Sequence, residues 1–182
     1  MAVLTALSWH GDHVDGLPSI LAILESLSSP APRVHKFPST HEIKHPSAPL
    51  AQGQTFTITG TSESLQVIHT PGHSDDSISL ILKGEGIFCA DTVLGEGTAV
   101  FEDLRVYMQS LEKLLVIMQG GEEKLFPGHG PVRSDGKDLV KMYIRHRNER
   151  EGQIVDCLEG EMGLMECVLA SNFSNLADRA TD

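Results

Sequence analysis

The feature that most constrains this chain is where its possible metal ligands fall. His10, Asp12 and His13 come just after the apolar run Val3–Leu7, and His73 closes Thr70-Pro71-Gly72-His73, after Leu65–His69. Asp91 follows Gly86–Ala90, and His129 stands between glycines after Phe126. Each set sits in a turn that follows a strand-like segment. Loops at one rim of a rigid sheet are where sites are built, so four such turns can converge on one point. Imidazole nitrogens and carboxylate oxygens suit zinc, at about 2.0–2.2 Å. Gly72, Gly128 and Gly130 permit the tight turns that aim a histidine inward. A lone His-x-Asp-His says little; the ordered set of four turns says far more.

The rest of the pattern supplies a scaffold for such a rim. Leu17, Ile20, Leu21, Leu24 and Leu27 repeat at helical spacing, and Ser28-Ser29-Pro30-Ala31-Pro32 ends that helix. Residues 33–53 carry Pro38, Pro46 and Pro49 and read as irregular connection around a short strand. Short β segments are expected at 55–59, 65–69, 77–82 and 86–90. Leu104, Met108, Leu111, Leu115 and Met118 mark an amphipathic helix, ended by Gly120-Gly121. A short strand at 124–126 and a polar helix over about 138–157 complete an α/β order.

Composition closes off other classes. At 182 residues with 40% hydrophobic side chains, the chain can fill one core. No apolar run approaches the roughly 20 residues that span a bilayer, and residues 1–10 show no secretory leader pattern, so a cytoplasmic protein is expected. Cys89, Cys157 and Cys167 are odd in number and lack CxxC spacing, which argues against a disulfide framework. The net charge of -11 disfavours a broad phosphate-binding face.

The motifs His10-Gly11-Asp12-His13, Pro71-Gly72-His73, Cys89-Ala90-Asp91-Thr92 and Phe126-Pro127-Gly128-His129-Gly130-Pro131 resemble those of the metallo-β-lactamase superfamily. Leu94–Leu104 and Tyr143-Ile144-Arg145-His146-Arg147 resemble the branch of β-lactamase-like protein 2 and the fungal lactamase-like polyketide thioesterases (the atrochrysone carboxyl ACP type). The resemblance implies an αββα sandwich over residues 1–158, short of N-terminal strands, with 159–182 a truncated tail. It implies one or two zinc ions. His10 and His73 would serve the first metal, Asp12, His13 and His129 the second, and Asp91 would bridge them. A metal-bound hydroxide would attack the substrate, with Asp12 holding or shuttling the proton. The implied substrate is a thioester, small or on the acyl carrier protein of a polyketide synthase, in secondary metabolism. The alternative is single-stranded RNA, cut by an endoribonuclease; the acidic charge favours the thioester. No membrane partner is implied, while an exposed sheet edge would favour homodimers.

The sequence departs from that pattern at Ser8, where the superfamily motif begins with histidine. Serine is a poor ligand at neutral pH, so a weakened first metal site is expected, or a catalytically impaired remnant. A competing motif, His41-Glu42-Ile43-Lys44-His45, matches H-E-x-x-H. That signature needs both histidines on one helix face, and Pro46 pushes His45 out of helical geometry; the expectation is a solvated loop. His69 is expected to end a strand without binding metal, and His35 and His146 to lie at the surface. Asp75 and Asp76 suit partners of the ligands or turn caps equally. Cys89 and Trp9 read as packing residues, and Glu102 and Asp103 as the start of the second helix.

Overall fold

A computed structural model describes residues 3–27, 32–41, 48–58, 60–121 and 123–160. The chain divides into two compact units, Met1–Val140 and Lys141–Asp182. Within the first, β1 (Val3–Ala6) leads into the short helix α1 (Gly11–Val14) and then α2 (Leu17–Ser26). Pro18 in the first turn of α2 suits a position whose N–H has no helical partner. Strands β2 (Arg33–Lys36) and β3 (Ala48–Pro49) follow, then β4 (Thr55–Thr57), β5 (Ser64–His69), β6 (Ile78–Leu82) and β7 (Gly86–Ala90). Helix α3 (Leu104–Met118), β8 (Leu125–Pro127) and α4 (Gly136–Glu159) complete the order. Among the described residues, no helix is long and apolar enough to cross a membrane.

The strands form two sheets. One is parallel, in the order β1-β2-β3; the other runs β4-β5-β6-β7-β8, antiparallel until β8 pairs parallel with β7. Residues 33–53, expected to be mostly irregular, thus supply two strands. The inner faces meet in one apolar cluster: Leu50, Val67, Ile78 and Leu80, with Leu7, Phe37, Phe56, Leu65 and Phe88 packed against it. A hydrogen bond from Ile78 N to Leu7 O (3.1 Å) ties the end of β1 to β6. Alternation turns the neighbouring side chains to the other face of the five-stranded sheet, where α3 lies. There Tyr107 Oη donates to Thr92 O (2.7 Å), Ser110 Oγ to Pro71 O (2.7 Å) and Lys113 Nζ to His69 O (2.7 Å).

Helix α3 starts as expected. Asp103 is its N-cap and accepts from Val106 N at 3.0 Å. His35 corrects the sequence reading: it is 7% exposed, packed edge-on against Phe56, because β2 is the middle strand of its sheet. His146 lies half-buried on α4. Cys157 is disulfide-bonded, whereas the odd cysteine count and the lack of CxxC spacing argued against a disulfide framework. The second unit is described to Gly160, as the remainder of α4; the tail from 161 lies outside the described residues.

Candidate metal centre

Every residue singled out as a ligand stands where a strand or short helix delivers it. β1 ends two residues before Ser8, and His10, Asp12 and His13 follow on or beside α1. His73 stands in the turn after β5. Gly72 before it has φ +124°, and any Cβ there would overlap the Tyr107 backbone. Gly72 O also accepts from Glu102 N (2.7 Å) and Asp103 N (3.2 Å), which docks the start of α3 on this turn. Asp91 follows Ala90, a non-glycine residue at φ +46°, where β7 kinks out of register with β8. His129 follows β8, whose next residue, Gly128, donates its N–H to Ala90 O at 2.9 Å.

These turns bring six side chains into two groups that share Asp91: His10, His73 and Asp91, and Asp12, His13, Asp91 and His129. In the first, His73 Nε2 lies 2.9 Å from His10 Nδ1 and 3.6 Å from Asp91 Oδ2. In the second, His13 Nε2 lies 3.1 Å from Asp91 Oδ2, and His129 Nε2 lies 2.9 Å from Asp12 Oδ2 and 3.5 Å from Asp91 Oδ2. His73 Nδ1 meets Val100 O at 2.9 Å. As the donor to that carbonyl, Nδ1 carries the proton and Nε2 keeps its lone pair, as in metal-bound histidines.

The electrostatics suit a cation. Burial pushes the Asp91 carboxyl up, but the His13 hydrogen bond and the imidazoles of His13, His129 and His73 outweigh it and hold the group below the ordinary carboxylate range. The same hydrogen bond to Asp91 raises His13 above its usual value, against the effect of burial. Asp91 Oδ1 is buried with no hydrogen-bond partner. A buried carboxylate oxygen without a donor is costly, and a cation would satisfy it. The donor set of imidazoles and carboxylates therefore fits a divalent metal.

Ser8 does not join either group. It is fully buried, its Oγ 3.3 Å from Ser74 Oγ and accepting from His10 N at 3.4 Å. His69 also stays apart, its ring stacked on Phe37 and its Nε2 donating to Asp75 O at 2.9 Å. Trp9 stacks on His41 at 4.1 Å and tilts toward His10 at 4.6 Å. Glu42 and His45 of the competing motif lie outside the described residues. Cys89 is fully buried, and burial pushes its thiol up to about 12. The contact of Lys36 Nζ with Asp76 Oδ2 (2.9 Å) was not legible in the sequence, since no spacing rule links position 36 to position 76.

The sequence profile of the metallo-beta-lactamase superfamily matches residues 9–129. The chain is 43% identical over 157 residues to a beta-lactamase-like protein 2 homolog of Drosophila melanogaster, covering 81% of this chain and 51% of that protein. It is 35% identical over 154 residues to an atrochrysone carboxyl ACP thioesterase of Aspergillus fumigatus, covering 83% and 45%. The chain thus spans about half the length of the curated relatives it matches. An archaeal metallo-beta-lactamase superfamily protein from Sulfolobus tokodaii shares the fold, with a TM-score of 0.61 over 80% of this chain and 67% of that one, at 16% identity. With its ligand-bearing turns gathered at the ends of two facing sheets and this profile over most of its length, the chain belongs to the metallo-beta-lactamase superfamily of hydrolases.

Proposed function

We propose that this chain carries the metal centre of a thioesterase that releases an acyl or polyketide chain from an acyl carrier protein in secondary metabolism. The observation that carries the reading is the shared carboxylate: Asp91 belongs to both ligand groups and has one oxygen without a partner. His10, His73 and Asp91 would hold one ion, and Asp12, His13, His129 and Asp91 the other; zinc suits these ligands. Metal bound there lowers the pKa of water and polarises the carbonyl under attack.

The chain's own groups do the rest. The half-exposed Asp12 carboxylate takes the proton of the attacking water and returns it to the leaving sulfur. Val100 O fixes the His73 ring by accepting from Nδ1. The loop that supplies this carbonyl exposes Val100 (72%) and Phe101 (37%), an apolar surface suited to an acyl chain. Two cations are engaged within the protein: Lys36 with Asp76, and Arg133 with Asp135 and Gly95 O. That arrangement, with the net charge of -11, favours a thioester over the RNA phosphodiester.

The test is to incubate the purified chain plus Zn²⁺ with an aryl thioester and, separately, with labelled single-stranded RNA. Thiol release is expected, and its loss in Asp12→Ala and His129→Ala. Cleavage of RNA alone would assign the endoribonuclease reading instead. Hydrolysis of neither would favour a catalytically impaired remnant.

A further inference from the structure

A buried ion pair stands behind the first ligand group. Lys36 Nζ lies 2.9 Å from Asp76 Oδ2, with the two side chains 6% and 0% exposed. Asp76 Oδ1 accepts from Trp9 N at 3.2 Å and from Ser74 Oγ at 2.7 Å. Lys36 Nζ also donates to Ser39 Oγ (3.0 Å) and Phe37 O (3.3 Å). One carboxylate thus ties together three pieces of chain: the residue before His10, the residue after His73, and β2 of the parallel sheet.

A buried pair of this kind is weak evidence for stability, since well-packed apolar residues often serve as well or better. What an apolar pair could not supply is the two hydrogen bonds that Asp76 Oδ1 accepts from the ligand-bearing turns. Ser8 adds to the point. Its hydroxyl sits on Ser74 Oγ and under His10 N, and Ser74 is tied in turn to Ser77 Oγ at 2.7 Å. At position 8 a hydroxyl takes part in this network and no side chain from there joins the ligands.

We propose that Asp76, clamped by Lys36, is a positioning residue that sets His10 and His73 at their mutual distance and so controls metal affinity at the group they form with Asp91. The inference rests on the metal-centre reading above. Polar partners behind metal ligands typically change affinity by about 10–100-fold when removed.

Zinc alone is the probe, in a chelator competition on the full chain, with Co²⁺ absorption as a spectroscopic check on ligand geometry. Lys36→Met is expected to weaken one zinc site by about 10–100-fold, matching the deficit of His73→Ala and unlike that of His129→Ala. Lys36→Arg keeps a cation on Asp76 and is expected to retain most of the affinity. Because Lys36→Met strands a buried carboxylate, the double variant Lys36→Met with Asp76→Leu separates folding from positioning. It leaves no lone charge, so it is expected to stay folded, with a lower melting temperature from the lost Trp9 N and Ser74 Oγ hydrogen bonds, while still losing zinc at the same site. A folded double variant that binds zinc like the parent overturns the inference. A parent chain that takes up no zinc would overturn the metal-centre reading itself.

Discussion

Gly128 faces Asp91 Oδ1, the buried carboxylate oxygen that has no hydrogen-bond partner. A Cβ at position 128 would collide with that oxygen and come within 3.1 Å of His13 Cε1. Glycine here keeps open the space into which Asp91 points. Gly128→Ala is therefore expected to lower the zinc retained per chain after dialysis, read by elemental mass spectrometry. The metal-free protein should lose about 1–3 kcal/mol through overpacking. Undiminished zinc would show that the space is not needed for metal.

Ser8 is fully buried against Ser74 and lies beside His10. Ser8→His would place an imidazole next to the His10–His73–Asp91 group. Zinc affinity at that group should rise, since a third nitrogen ligand completes a structural-type coordination set. The metal-free protein should be less stable by about 1–3 kcal/mol, because the larger ring must displace packed hydroxyls. Thermal melts with chelator and with zinc would then diverge more than in the parent; equal divergence would count against the prediction.

Ala90 holds φ +46° immediately before Asp91 and is buried. The left-handed region costs a non-glycine residue roughly 1–2 kcal/mol. Ala90→Gly removes that strain but loses a methyl group and gains unfolded-state entropy, so it should fall within about 1 kcal/mol of the parent. Ala90→Val should lose roughly 2 kcal/mol or more. An ordinary strand position ranks the two substitutions the other way, so denaturant midpoints decide whether the turn into Asp91 is as unusual as it looks.

Acid stability should depend on His35 and His69. Burial lowers both below the usual histidine value, helped at His35 by Arg33; at His69 burial outweighs the opposing hydrogen bond to Asp75 O. For a histidine lowered on folding, the unfolded chain binds more protons between the folded pKa and about 6.5, so stability rises with pH there. It is lost as pH falls below about 6.5 toward the folded values. Melting temperatures with chelator present should drop across that window. His69→Phe, which keeps the stack on Phe37, should flatten the slope; an unchanged slope would remove His69 from the account.

Much of the scaffold was readable from local signals. The strand at 86–90 matches β7, and the periodic leucines and methionines from 104 to 118 all lie on α3. The glycines at 72 and 128 stand where a Cβ would overlap the Tyr107 backbone and the Asp91 carboxylate. Each signal is carried by neighbours in the chain: side-chain period, a missing Cβ, a capping carboxylate. Of β2 and β3 the sequence offered one short strand without placing it: β2 has 4 residues and is defined by pairing with β1, and β3 has 2, ends on Pro49 and is defined only by pairing with β2.

The sequence by itself determined which side chains could ligate a metal, that they follow strands, and that position 8 offers a hydroxyl. Tertiary structure decided the rest. It made Asp91 common to both groups, buried His35 in the middle of a sheet, and set Lys36 against Asp76 across 40 positions of chain. The reason is that desolvation and ion pairing depend on what the fold brings alongside a group. Nothing within a few residues of Lys36 reveals that its charge will leave water, or that the carboxylate it meets will hold two ligand turns together.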